Sequence, residues 1–159
     1  RLREAIPDIA LRTTLIAGFP GETKEDHELL MDFVDEMEFE RLGVFAYSAE
    51  EDTPAASFPD QVPQEIKEER RDALMELQQE IAFEKSERMV GRILDVMIEG
   101  RWPMKTPMWE EPTWMPPNVD GLIFVNTDEP LMSGDFCKVR VTGALDYDLI
   151  GEMCYESAK

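Results

Sequence analysis

The segment from Leu15 to Thr23 constrains the fold more than any other part of the chain. A buried-strand run breaks at Gly-Phe-Pro-Gly and then opens a helix. Such a strand-to-helix loop lies at the C-terminal edge of a parallel α/β sheet or barrel, where ligands bind. Gly18 and Gly21 allow a positive φ or a close approach of the backbone, and Pro20 stiffens the turn. An ordinary strand-to-helix connection uses the same residues, so this pattern alone leaves both roles open.

Composition limits the function classes. The 159 residues, 43% of them hydrophobic, suffice for one domain or two small ones. The formal net charge of −19 disfavours nucleic acid and favours a basic partner, or simply solubility. Cys137 and Cys154 lack the Cys-x-x-Cys spacing of a metal site, so we predict no metal ligands here and a reduced, cytoplasmic protein. Apolar runs are too short to cross a membrane, and we expect no membrane partner.

Helix and strand signals alternate up to residue 91. The capping-box pattern of Thr23 and Asp26 predicts the start of a helix, and Gly91 is typical of a helix end. The chain begins without methionine, so we expect it to be a fragment of a longer protein. The predicted order is the end of a helix (1–8), a strand (10–17), a helix from Thr23, a strand (42–47), an acidic and proline-rich loop (49–63) and a long charged helix (63–90). Strand, helix and strand in this order predict a parallel pair.

Short strands dominate after residue 91. Period-two stretches and turn residues predict strands at 92–98, 122–126, 136–142 and 145–152, with a turn at Gly143. This pattern favours a small antiparallel barrel of OB-like scale. Residues 102–117 hold five prolines and all three tryptophans, which predicts an irregular excursion. If these tryptophans are exposed, the excursion is a binding loop; if they are buried, it is a lid.

Several of these stretches resemble one family. Gly-Phe-Pro-Gly-Glu-Thr at 18–23 resembles the end of the fifth barrel strand in the radical S-adenosylmethionine methylthiotransferases. Residues 41–56 resemble their next strand and loop, and residues 62–91 their linking helix. Residues 118–125 and 134–151 are similar to their TRAM domain. The resemblance implies the C-terminal part of a TIM-like radical SAM barrel with its linking helix at 1–91, and a TRAM-like β-barrel domain at 92–159.

One loop indicates which branch of the family the chain resembles. Glu50-Glu51 after Tyr47-Ser48 resembles the RimO-type enzymes, which modify an aspartate of a small-subunit ribosomal protein, whereas the transfer-RNA branch tends to carry a basic residue there. We therefore expect Glu50 and Glu51 to contact substrate. The acidic composition agrees, since it suits a basic ribosomal protein better than RNA phosphates.

The resemblance also implies a mechanism for the full-length protein. A reduced 4Fe–4S cluster cleaves S-adenosylmethionine, the resulting radical takes hydrogen from the aspartate β-carbon, and a methylthio group is added there. Two 4Fe–4S clusters are implied, with cysteine ligands that are absent from this chain. No catalytic residue is predicted here, and the fragment alone is expected to be inactive and without bound cofactor.

Five residues are predicted to retain part of the S-adenosylmethionine wall. These cofactor-binding candidates are Ile16, Gly18, Phe19, Phe45 and Tyr47; alternatively, Ile16 and Phe45 simply fill the barrel core. The TRAM domain is expected to bind substrate. Two other functions remain open at this point: a fragment of a transfer-RNA adenosine methylthiotransferase, or a non-catalytic acidic adaptor.

Overall fold

The computed structural model describes residues 1–100, 121–127 and 130–154. It divides into two compact units, Arg1–Lys85 and Ser86–Lys159. The predicted excursion at 102–117 lies outside the described residues. The domain boundary at residue 91 remains a prediction.

Helices accompany a short parallel sheet in the first unit. Its elements are α1 (Leu2–Ala5), β1 (Arg12–Ala17), α2 (Lys24–Met37), β2 (Arg41–Ala46), a 3₁₀ turn (Pro54–Ser57) and α3 (Gln64–Arg88). Strands β1 and β2 pair in parallel, with Arg12 opposite Arg41 and Ala17 opposite Ala46. The parallel pair joined through a helix is therefore as predicted.

Local interactions fix where α2 begins and ends. The side chain of Thr23 accepts a hydrogen bond from the Asp26 N–H, and the Asp26 carboxylate accepts one from the Thr23 N–H. This is the predicted capping box, which satisfies N–H groups that the helix leaves without partners. Glu38, in the left-handed region at φ 42°, ends the helix. Of the apolar side chains of α2, Val34 is buried, whereas Leu29 and Phe33 are exposed.

The core of the first unit lies between the helices and one face of the sheet. It is built from buried apolar side chains of both strands, α2, α3 and the turn before β2: Ala17, Val34, Phe39, Leu42, Val44, Leu74 and Ile81. Because side chains alternate across a strand, the opposite face of the sheet carries Thr14, Ile16 and Phe45. That face is exposed in the described part of the chain.

A four-stranded sheet forms the second unit. Its strands are β3 (Ile93–Met97), β4 (Ile123–Asn126), β5 (Phe136–Leu145) and β6 (Asp148–Met153), in the order β3-β5-β6-β4. Strand β5 is antiparallel to β3 and β6, but β4 is parallel to β6. The prediction of a purely antiparallel arrangement is therefore wrong. The hairpin after β5 fixes β6 as antiparallel to β5, and β4 then joins the far side of β6 in the same direction.

The predicted turn at Gly143 is also wrong. Strand β5 continues through Gly143 to Leu145, and the chain turns at Asp146, where φ is 51°. The pairing of β5 with β6 shifts register between Val141 and Gly143. A glycine inside a strand often marks such an irregularity.

Candidate functional site

Two predicted residues, Ile16 and Phe45, form an exposed apolar pair. They are directly opposite each other in the β1–β2 register, and 55% and 63% of their surfaces are exposed. Each is the last residue but one of its strand, and both lie near the loop that follows β1. The alternative, that they fill the barrel core of the longer protein, remains a prediction. An apolar pair at this edge suits a flat, weakly polar ligand group.

Gly18 shapes the loop after β1. It has a φ of 75°, a backbone conformation that residues other than glycine rarely adopt. Its N–H donates a hydrogen bond of 2.8 Å to Oε2 of Glu22. The other carboxylate oxygen of Glu22 accepts a 2.7 Å bond from Arg70, whose guanidinium also donates to the Glu22 carbonyl at 3.0 Å. A charge-assisted pair from α3 therefore holds the turn in place.

Phe19 and Tyr47 come together just beyond the strand ends. Their rings meet edge to face with centroids 5.2 Å apart, and Phe58 contacts Phe19 from the following loop at 6.3 Å. The Tyr47 N–H donates to the Ala17 carbonyl at 2.8 Å, which extends the strand pairing by one bond. Tyr47 is buried, and its hydroxyl lacks a hydrogen-bond partner among the described residues.

The sequence analysis missed Lys67, which belongs to the same cluster. Its Nζ lies 5.0 Å from the centroid of the Tyr47 ring, and its aliphatic stem packs against Gly18. The side chain is buried although α3 is highly charged. One signal was available: Lys67 precedes the core residue Leu74 by two helical turns, so it lies on the apolar face of the helix.

Glu50 and Glu51 lie in an exposed turn that follows β2. Thr53 caps this turn, since both its N–H and its hydroxyl donate to the Glu50 carbonyl. Asp52 adopts the left-handed region with φ 65°. The structure brings neither carboxylate into a hydrogen bond or ion pair within the described part of the chain. Their role in substrate contact remains a prediction.

His27 lines a cavity of about 590 Å³ beside the start of α2. Burial and the neighbouring Arg70 lower the pKa of His27, against the opposing effect of Glu22, Glu28 and Glu69. Its Nδ1 is buried and has no partner in the regions that the structure describes. The side chain is thus partly buried.

The described residues contain no group of three or more His, Cys, Asp or Glu side chains placed to hold a metal ion. Cys137 and Cys154 are free thiols. Burial and the charge of Asp135 raise the pKa of Cys137, which disfavours its thiolate. Within the same described ranges, no helix is long and apolar enough to span a bilayer.

One face of the second unit combines apolar and charged side chains. Three cross-strand pairs line it: Met97 opposite Phe136, Asp95 opposite Lys138 and Ile93 opposite Arg140. The Lys138 ammonium lies 3.1 Å from the Asp95 carboxylate. Phe136 is the most exposed of the large apolar residues in the described chain. An exposed aromatic ring between apolar and cationic neighbours is typical of an interaction surface.

Comparisons with known proteins agree with this architecture. Residues 90–154 match the model of the TRAM domain. The chain is 59% identical over 152 residues to the ribosomal protein uS12 methylthiotransferase RimO of Lachnoclostridium phytofermentans, covering 95% of this chain and 34% of that protein. It is 47% identical to the protein of that name from Desulfitobacterium hafniense (96% and 34% covered) and 43% identical to that of Acetivibrio thermocellus (100% and 35% covered).

The chain spans about a third of the length of the curated relatives that it matches. Similarity at this level across nearly the whole chain confirms the resemblance found in the sequence. The chain belongs to the RimO-type methylthiotransferase family and contains the TRAM domain of that family.

Proposed function

We propose that this chain is the C-terminal part of a RimO-type methylthiotransferase that methylthiolates the β-carbon of an aspartate in a small-subunit ribosomal protein. The relatives are named as methylthiotransferases of ribosomal protein uS12, which supports both the reaction and the substrate. A ribosomal protein as substrate would also support a cytoplasmic location of the activity. In this proposal the first unit supplies the last strands of a TIM-like radical SAM barrel, and the second unit is the small TRAM barrel.

The observation that carries the proposal is the apolar pair at the C-terminal edge of the sheet. Ile16 in β1 and Phe45 in β2 are both exposed and directly opposite each other. The Gly18–Phe19 turn follows the end of β1. These features fit S-adenosylmethionine, because an apolar platform suits the adenine and the Gly18–Phe19 turn borders it. Phe19 and Tyr47 would border this platform.

S-adenosylmethionine bound at a reduced 4Fe–4S cluster of the full-length protein would supply the radical that removes hydrogen from the aspartate β-carbon. The described residues hold no metal-ligand cluster, so both clusters would be bound by other parts of the full-length protein. The residues of this chain would orient the nucleoside and exclude water from one side of it. The chain alone is therefore expected to be inactive.

The charge distribution supports a basic protein substrate. Exposed acidic side chains recur every four residues along α3, at Glu68, Asp72, Glu76, Glu80 and Glu84. A row of like charges at this spacing slightly destabilises a helix, but it attracts a basic partner. The turn with Glu50 and Glu51 would add to this attraction, and the exposed face around Phe136 in the TRAM domain would provide apolar contacts to the substrate.

The test uses the full-length protein with reconstituted clusters. It is incubated with S-adenosylmethionine, a sulfur source and a reductant, once with the basic ribosomal protein and once with transfer RNA, and each product is analysed by mass spectrometry. We expect a methylthio group on one aspartate of the protein. Modification of transfer RNA instead would assign the chain to the RNA-modifying branch, and modification of neither would favour the adaptor.

A variant pair tests the apolar platform. Phe45→Ala should weaken S-adenosylmethionine binding roughly tenfold, the loss typical of one aromatic contact of about 1.4 kcal/mol. Leu29→Ala is the matched control, because Leu29 is also a large exposed apolar residue but lies on α2. Equal affinities for the two variants would contradict the assignment of Phe45.

A further inference from the structure

Lys67 is a buried lysine that has no anionic partner among the described residues. Only 8% of its surface is exposed, and its ammonium lies above the ring of Tyr47. Its side chain makes no hydrogen bond or ion pair with any residue that the structure describes. The neighbouring cations differ in this respect: Arg70 is paired with Glu22, and Lys85 is paired with Glu40.

Lys67 therefore receives less stabilisation from its described neighbours than a buried charged side chain normally does. Removing a charged amine from water is costly unless it is paired and hydrogen-bonded. The attraction of the ammonium to an aromatic ring offsets only part of that cost. Arg70 and Lys85 are both more exposed than Lys67, yet each has a carboxylate. The missing interaction for Lys67 is therefore one with an anion.

The Tyr47 hydroxyl also lacks a polar partner. It is buried and lacks a partner within the described ranges, whereas a buried tyrosine hydroxyl normally forms a hydrogen bond. Lys67 and Tyr47 are in direct contact, and both lie against the Gly18–Phe19 turn. A buried hydroxyl without a partner and an ammonium without a carboxylate thus meet, within the described chain, at the edge of the sheet where ligands of parallel α/β proteins bind.

We infer that Lys67 and Tyr47 together bind a carboxylate group of a ligand. One ammonium and one hydroxyl match a single negative charge that accepts two hydrogen bonds, as a carboxylate does. The inference rests on the proposed function, which offers two carboxylates: that of the aminoacyl end of S-adenosylmethionine and that of the substrate aspartate. The chemistry recognised is the same in both cases.

The experiment measures binding preferences of the full-length, cluster-reconstituted protein. One arm compares S-adenosylmethionine with its decarboxylated analogue. The other compares a peptide carrying the substrate aspartate with the same peptide carrying asparagine. The variants are Lys67→Met, which keeps the length and apolar character of the stem, and Tyr47→Phe, which removes only the hydroxyl. Thermal unfolding of each variant shows whether it is folded.

In one arm we expect the wild-type protein to prefer the carboxylate form by roughly tenfold to a hundredfold, the range of a charged hydrogen bond. Lys67→Met should abolish that preference and leave the affinity for the form without the carboxylate unchanged. Tyr47→Phe should reduce it several-fold. The arm in which this occurs identifies the source of the carboxylate.

Two results would overturn the inference while leaving the proposed function intact: binding of both ligands with no preference for the carboxylate forms, or preferences that Lys67→Met and Tyr47→Phe leave unchanged. Failure of the wild-type protein to bind either S-adenosylmethionine or the aspartyl peptide would instead reject the proposed function, and the inference with it.

Discussion

Arg70 and Glu22 form an ion pair that connects α3 to the loop after β1. The two charged atoms are 2.7 Å apart, and each side chain is only 12% exposed. The second oxygen of Glu22 accepts the N–H of Gly18, so the carboxylate links the helix to the turn. The geometry of the candidate site therefore depends on a residue that need not touch any ligand.

Replacing Glu22 should be destabilising because it removes a charged hydrogen bond to Gly18 and leaves Arg70 with only a carbonyl partner. For Glu22→Ala we expect a loss of about 2–4 kcal/mol in the free energy of unfolding. Urea denaturation of the full chain measures it. Glu76→Ala is the control, since Glu76 is exposed on α3, the helix that carries Arg70. This substitution should change the free energy of unfolding by less than about 0.5 kcal/mol. Equal effects would show that the ion pair contributes nothing.

Substitutions at Gly18 and Gly21 separate the cost of backbone strain from the cost of overpacking in the free energy of unfolding. Both have a positive φ, 75° and 85°. An added Cβ at Gly18 would lie 2.4 Å from Cγ of Lys67, whereas at Gly21 it would meet nothing within 4 Å. Gly21→Ala should therefore cost only the strain, about 1–2 kcal/mol. Gly18→Ala should cost about 1–3 kcal/mol more, because α3 must move. Denaturation midpoints for the two variants that agree within error would contradict this close packing.

The lowered pKa of His27 predicts a pH dependence of stability. Burial and Arg70 disfavour the charged imidazole in the folded protein, although Glu22, Glu28 and Glu69 partly oppose them. The unfolded chain then binds the proton more tightly, so stability rises with pH in this window. We expect stability to be complete above pH 6.5, the ordinary value, and to decrease as the pH falls through the lower folded value.

The measurement is the free energy of unfolding of wild type and His27→Gln between pH 7.5 and 5. As the pH is lowered, the free energy of unfolding of wild type should fall relative to that of His27→Gln. Titration of Asp26 and Glu40, whose pKa values are also lowered, affects both proteins equally and cancels. A difference that stays constant with pH would mean that His27 titrates normally.

The helices and the first sheet could be predicted because their signals are local. The capping box of Thr23 and Asp26 and the apolar spacing around Leu74 depend only on nearby residues. The parallel pairing of β4 with β6 was not predictable in this way, because periodicity identifies a strand but not its neighbour. Lys67 was missed for a related reason: a lysine in a charged helix is normally exposed, and only the contacts with Gly18 and Tyr47 explain its burial.

The second unit offers a matched pair of glycines for a final prediction. An added Cβ at Gly151, in the middle of β6, would lie 2.3 Å from Cγ1 of Val139 and 3.0 Å from the Arg140 carbonyl oxygen. Val139 is completely buried and has no space to move into. Gly151→Ala should therefore destabilise this unit by about 1–3 kcal/mol through overpacking.

Gly100→Ala is the control for Gly151→Ala, because an added Cβ there meets no described residue within 4 Å. Hydrogen exchange of the full chain provides the measurement. Faster exchange should appear in β5 and β6 of Gly151→Ala, where the N–H groups of the β5–β6 ladder are protected by the sheet. Gly100→Ala should exchange like wild type. Unchanged protection of β5 and β6 in Gly151→Ala would refute the tight contact between Gly151 and Val139.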